Sequence, residues 1–241
     1  MIWSANDQKF LQRKEMMLCK AAAIACLSTA VAGIALAQSA PAENNQPAAE
    51  DSSSSMEPPL VGDHWTYEIR DEIAGTLKFT TVHVITQVSP NDIAIRTENL
   101  GNPGYGYLLY DHSWNLKDSS TWKYSPGDGT GVKAPLRVGN KWNFQSSDTY
   151  SGRGVSVKRS GSSKVVAQEP VTTAAGSFDT FKIETTATVR NANDPTKKSD
   201  LVLTTWYAPE VDHWVKRTSK ITINGHLDQD TSAELVEYGR R

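Results

Sequence analysis

From Leu60 to Tyr238 apolar residues never recur at the three-and-four spacing of a helix face. They come in short alternating runs of Thr, Val, Ile, Tyr and Trp, separated by clusters of Gly, Asn, Asp and Pro. That pattern selects strands half-buried in a sheet and excludes helical bundles. Trp65, Tyr67 and Ile69 share one face of a first strand, with His64, Thr66 and Glu68 opposite. After a turn at Asp71–Gly75, Leu77 and Phe79 give way to Val82 and Val84, a change of phase that predicts a β-bulge near Thr80-Thr81. Ser89-Pro90-Asn91-Asp92 is a turn, and Ile93, Ile95 and Thr97 alternate beyond it. Further strands are expected at Tyr107–Tyr110, Trp114–Leu116, Trp142–Phe144, Val155–Lys158, Lys164–Gln168, Phe178–Val189, Leu201–Tyr207, Trp214–Ile223 and Ala233–Tyr238. Asn224-Gly225 is a two-residue hairpin signal. The fold class is all-β: an antiparallel meander that must curl into a half-barrel, a closed barrel or a sandwich, because strands twist and open edges invite pairing.

The two halves echo each other. Val61-Gly62-Asp63-His64-Trp65-Thr66-Tyr67 and Val138-Gly139-Asn140-Lys141-Trp142-Asn143-Phe144 share the pattern Val-Gly-x-x-Trp-x-aromatic. Downstream, Val84–Arg96 parallels Val165–Lys182, and Tyr107–Lys117 parallels Thr204–Arg217, which sets His112-Ser113-Trp114 beside His213-Trp214. The expectation is a duplicated β unit, each copy opened by a glycine turn that delivers a tryptophan into the core.

The first 59 residues have a different character. Arg13, Lys14 and Lys20 precede an almost unbroken run of small and apolar residues from Ala21 to Ala37, and Ala35-Leu36-Ala37 fits the small-x-small cleavage rule. Residues 1–37 read as a signal peptide with an N-terminal extension, and the run is short for a membrane span. Cys26 follows too short an apolar stretch for a lipid anchor. Residues 38–59, rich in Ala, Pro and Ser and without an aromatic, read as a disordered linker. One β domain over 60–238 remains. Both cysteines, Cys19 and Cys26, leave with the leader, which excludes disulfides and thiol catalysis from the exported chain. Four bases and two acids leave with it, so 21 Lys and Arg face 25 Asp and Glu. A mildly acidic domain lacks the clustered bases that nucleic acid demands.

Three histidines follow aspartate, in Asp63-His64, Asp111-His112 and Asp212-His213. Histidine is a metal ligand and proton carrier that a carboxylate can orient. His64, His112, His213 and Asp212 are therefore the candidate metal ligands. Against this, neighbours in a strand face opposite ways and all three pairs fall at turns, where solvated Asp and His are ordinary. Gly-x-Ser-x-Gly, His-Glu-x-x-His and phosphate-loop motifs are absent, and the run Gly127–Gly131 reads as a plain loop. Glu169, Asp179, Glu184 and Glu210 qualify for hydrolysis only as acids that exist. No cofactor is implied. The aromatics carry more: Trp114, Trp122, Trp206, Trp214, Tyr107 and Tyr110 are the candidate ligand-binding residues, since Trp and Tyr on a concave sheet suit apolar or amphiphilic molecules.

Ala174-Ala175-Gly176-Ser177-Phe178-Asp179-Thr180-Phe181-Lys182-Ile183-Glu184, with Trp206-Tyr207-Ala208-Pro209 and Val215-Lys216-Arg217, resembles the exported bacterial proteins of the domain of unknown function 3108 and TapB-like type. The resemblance covers the last third of the chain and implies a β-rich exported fold without catalytic residues to transfer. The expectation is a periplasmic or secreted, non-catalytic β domain that binds an apolar or amphiphilic ligand or a cell-envelope component. The alternatives are an interaction or structural module that pairs through an edge strand, and a metal-binding protein or hydrolase.

Overall fold

The computed structural model describes residues 58–152 and 154–240 of the chain. The expected signal peptide, and all of the expected linker except Pro58 and Pro59, lie outside them. Within them the alternating runs become twelve strands and no helix: β1 (His64–Asp71), β2 (Thr76–Val88), β3 (Ile93–Asn99), β4 (Gly106–Tyr110), β5 (Leu116–Asp118), β6 (Trp122–Ser125), β7 (Lys141–Tyr150), β8 (Ser156–Thr173), β9 (Gly176–Asn191), β10 (Lys198–Ala208), β11 (His213–Ile223) and β12 (His226–Gly239). Each pairs antiparallel with the next, and β12 returns to β1, so the meander closes into a barrel. Closure removes the free edges that an open sheet would leave to solvent.

Alternation decides what faces in. Phe144, Gly161, Ala187 and Leu201 form one inward row across β7–β10, and Asn143, Ser162, Thr186 and Val202 the outward row beside it. Trp65, Tyr67, Ile85, Ile95, Val165, Tyr207 and Leu235 are buried in the interior. The outer wall is charged, with Lys216 facing Glu234, Lys220 facing Asp230 and Arg70 beside Glu68. Apolar-in and charged-out is the pattern of a barrel standing in water, the reverse of a lipid-facing one.

The repeat is visible bond by bond. Gly62 and Gly139 both adopt positive φ. Gly62 N donates to Ile85 O and Ile85 N to Asp63 O, while Gly139 N donates to Val165 O and Val165 N to Asn140 O. Trp65 and Trp142 are each the second residue of their strand, opposite His83 and Ser163. Matching register shifts follow at Ile85/Gln87 and Val165/Ala167, then at Leu109/Tyr110 and Trp206/Tyr207. These shifts correct the sequence alignment. Ile85, not Val84, corresponds to Val165, and Leu116, not Trp114, corresponds to Trp214. The correspondence stops at the junctions, where Tyr124 faces Asp148 but Leu235 faces Tyr67.

Other expectations shift locally. The bulge in β2 sits at Lys78, where the register moves from Phe79 to Leu77, and not at Thr80-Thr81. The strands expected at Val155–Lys158 and Lys164–Gln168 merge, from Ser156 on, into the single strand β8, because ladder bonds carry the apolar-poor Ser160–Ser163 that reads as a break. Trp114 lies in a turn at φ 60 and the strand starts only at Leu116. Asn224 and Gly225 have φ 51 and 81, the paired left-handed geometry of a two-residue hairpin.

The run Gly127–Val132, a plain loop by sequence, is buried throughout and plugs the interior. Asp128 holds it there, accepting bonds from Leu116 N (3.0 Å), Thr130 N (3.1 Å) and Thr130 Oγ1 (2.7 Å). Gly129 lies flat against Phe144 at φ +76, and a Cβ there would stand 2.0 Å from the ring. Gly75 has a similar φ of +67 with nothing within 4 Å of a Cβ. Gly75→Ala therefore costs only left-handed strain, about 1 kcal/mol, whereas Gly129→Ala adds overpacking and costs roughly 3 kcal/mol or more. Urea denaturation of both variants checks this, and equal losses would show that the loop is not packed as a plug.

Candidate functional site

The corner Trp206–Arg217 supplies the centre of the interior. β10 ends at Ala208, the chain turns with Val211 N bonding Ala208 O, and Asp212 takes φ 49, which Asp tolerates better than most residues. That conformation turns its carboxylate inward. Asp212 Oδ1 accepts from the Tyr207 hydroxyl at 2.6 Å and from Trp114 Nε1 at 3.3 Å. Burial raises the Asp212 carboxyl above its usual range, opposed by those two bonds. His213 follows, stacked on Trp65 at 4.5 Å and edge-on to Trp114 at 4.6 Å. Asp212 and His213 are 3% and 2% exposed, so the reading of this pair as solvated turn residues is corrected. Positive φ and an aromatic surround draw them in.

Tyr67 organises the next layer. Its ring stacks on Trp214 at 3.8 Å, and its hydroxyl lies 3.0 Å from Trp214 O and 2.7 Å from His213 Nδ1. One hydroxyl proton serves one acceptor, so Tyr67 donates to the carbonyl and His213 Nδ1–H donates to Tyr67. Burial drives the His213 pKa well below its usual value, so the ring is the neutral Nδ1–H tautomer. His83 lies edge-on to Tyr67 at 5.4 Å, with neither ring nitrogen bonded among the described residues, and burial pulls it down to about 3.

Two guanidinium groups lie on the inner wall, and they differ. Arg159 is ion-paired with Asp148 at 2.9 Å; Asp148 also accepts from Ser146 Oγ at 2.6 Å. Arg217 pairs across the ladder with buried Thr205, donates Nε to its hydroxyl at 3.2 Å, and lies 4.9 Å above the Trp214 ring. Among the described residues no carboxylate lies within ion-pair distance of Arg217. Burial lowers its pKa, and Tyr110, Asp128 and Tyr67 are close enough to oppose this.

The candidate ligand-binding residues separate into three places. Trp114, Trp214 and Tyr110 converge in the core, Trp114 standing 5.7 Å from Tyr110. Trp122 lies at the start of β6, against Tyr150 at 5.4 Å. Tyr107 and Trp206 face outward, Trp206 between Lys182 and Lys216 and bonded to Glu169 Oε1 at 2.7 Å. The candidate metal ligands do not gather. His64 pairs with Glu237 and His112 binds Ser89 O, and among the described residues no three His, Cys, Asp or Glu side chains are placed to hold an ion. Glu169 holds Trp206, while Asp179, Glu184 and Glu210 are exposed on the surface. A shallow groove of about 490 Å3 crosses the outer face of β7–β10, lined by Asn143, Ser160, Ser162, Thr186 and Asp200. It is open, Gly161, Ala187, Leu201 and Val202 also line it, and none of the candidate aromatics does.

Sequence reasoning missed His83, Arg159, Arg217 and Asp128. The alternation that places Trp65 inward also places His83 inward, since the two are ladder partners, so register was the missing signal. Both buried histidines have a folded pKa below the unfolded 6.5. Their contribution to stability is full above about pH 7 and is lost as pH falls from 6.5 toward 3, because only the unfolded chain takes up the protons. His83→Leu removes one such group and its unbonded nitrogens. The variant should gain about 1 kcal/mol at pH 7 and lose about 1.4 kcal/mol less per pH unit on acidification. Denaturant titrations at pH 7, 6, 5 and 4 read both effects, and parallel curves for the two proteins would refute the assignment.

No family model and no curated protein matches the chain. Three solved structures are similar to it. A protein of Parabacteroides distasonis described as a lipoprotein superposes with a TM-score of 0.50 at 13% identity, over 76% of this chain and 97% of that one. An exported protein of Bacteroides fragilis described as having a YmcC-like fold gives 0.48 at 15% identity over 76% and 98%. The Escherichia coli protein YmcC, described as a hypothetical lipoprotein, gives 0.46 at 11% identity over 76% and 87%. At these identities the likeness to the Parabacteroides protein concerns the barrel alone.

Proposed function

We propose that this is an exported cell-envelope protein whose barrel interior binds an apolar or amphiphilic small molecule. The reading rests on one observation. On the side formed by β11, β12 and β1–β4, inward side chains are only partly buried: Phe79 and Ala233 flank Ile69, Thr97 faces His83, Leu108 faces Ile95, and Arg217 faces Thr205. An inward alanine that solvent reaches means that the interior is not filled there. Barrel diameter grows with strand number, eight strands being just filled by side chains. Twelve leave room, which the plug and the aromatic floor take up only in part. Ligand sites are mostly apolar hollows with a few polar groups, and this wall has that composition. The basic and apolar leader, and the lipoprotein description of the Parabacteroides protein, support an envelope location. Edge-strand pairing is the weaker reading, since the closed order leaves it no edge.

The exported protein should bind the neutral apolar fluorophore N-phenyl-1-naphthylamine saturably. Ala233→Phe, which fills the hollow from its own wall, should weaken binding by about tenfold with an unchanged circular dichroism spectrum. Absence of saturable binding by the folded barrel would refute the reading.

A further inference from the structure

Arg217 is an inward cation that no carboxylate contacts among the described residues, Asp128 acting on it only from a distance. Its Nε is fixed by Thr205 and its plane lies on Trp214, but its terminal amino groups have no hydrogen-bond partner among the described residues. The groups facing it are Tyr67, Tyr110 and Asp128. Asp128 is committed to the plug, both oxygens being occupied by Leu116 N, Thr130 N and Thr130 Oγ1. The Tyr67 hydroxyl is committed to Trp214 O and His213. Tyr110 is not committed: its hydroxyl has no partner among the described residues, and burial keeps it protonated. His83, the other inward base nearby, is neutral. Arg159 shows the contrasting solution, a guanidinium neutralised by Asp148. A guanidinium that is partly open to solvent and held by its Nε presents its two amino groups as a fork suited to a carboxylate.

We propose that Arg217, with the Tyr110 hydroxyl as a second donor, binds the carboxylate head of a single-chain amphiphile, whose tail lies along Phe79 and Leu108 on the partly open wall. This deepens the proposed function and depends on it. Trp214 and Thr205 act as positioning residues for the guanidinium.

Titration calorimetry of the exported protein with dodecanoate, dodecanol and acetate tests the proposal. Dodecanoate should bind about tenfold or more tightly than dodecanol, and acetate should bind far more weakly than either. Arg217→Met should lose the preference for dodecanoate while keeping its dodecanol affinity, and its thermal midpoint should change little, since no contacting ion pair is broken. Arg217→Lys should retain part of the preference. Equal affinity of the native protein for dodecanoate and dodecanol, or a preference that survives Arg217→Met, would overturn the anion site and leave the hollow standing. Binding of neither long-chain probe would take down both.

Discussion

The Asp212 carboxylate is the contact on which the interior depends. It sits at the end of one repeat unit and receives the indole N–H of Trp114, the residue at the corresponding place in the other. Both occupy left-handed backbone, φ 60 for Trp114 and 49 for Asp212. For an aromatic residue that conformation is unfavourable. It is held by the bond from Trp114 N to Asp111 O and by contacts with Trp65, Tyr110 and His213. A ring of twelve pairings, eleven of them between consecutive strands, could breathe at its short strands, β4 to β6. A hydrogen bond between residues 98 positions apart ties those strands to the opposite repeat unit through the core.

Duplication explains why the two halves of the interior differ as they do. Tyr67 and Thr81 correspond to Phe144 and Gly161, and Ile69 and Phe79 to Ser146 and Arg159. The plug is inserted after β6 and packs against Phe144, so the second unit has given up volume where the plug needs it. Gly161 is the clearest case, since a Cβ there would stand 2.5 Å from the Phe144 ring and 2.4 Å from Thr186 O. The first unit, with no plug against its β1–β3 wall, keeps large residues there and still leaves side chains within reach of solvent. The open side of the barrel is thus a consequence of where the extra loop was placed.

Much of this fold was legible in the sequence because alternation is a local property. Trp65, Tyr67 and Ile69 read as one face and are one face, and the Val-Gly-x-x-Trp turn read as a repeat and forms the same hydrogen bonds twice. Closure was left open between three outcomes, because pairing of β1 with β12 joins residues from opposite ends of the domain. The candidate site was less legible. Trp114 and Trp206 look alike in sequence, yet one lies in the core and the other on the outer wall between two lysines. β10 alternates without interruption, so Trp206 stands out of phase with inward Leu201, Leu203 and Tyr207 and faces out, whereas Trp114 sits in a left-handed turn that alternation does not reach. Arg217 was hidden by the bulge at Val215, which shifts the phase of β11 between Trp214 and the Lys-Arg pair.

The same register fixes the chemical character of the partly buried inner wall. Lys216 and Arg217 are adjacent bases, and period two sends one out to Glu234 and the other in beside Thr205. A slip of one residue in β11 would exchange them, placing a lysine ammonium in the interior and a guanidinium on the surface pair. It would also turn Trp214 away from Tyr67 and break the stack that orients the inner wall. The bulge that skips Val215 keeps Trp214 and Arg217 on the same face although three positions separate them. Trp214 can therefore support the guanidinium from below only because the strand is irregular at that point, and the irregularity is shared with β4–β5, where no arginine follows. The bulge belongs to the inherited β unit, and the inward cation belongs to the second copy alone.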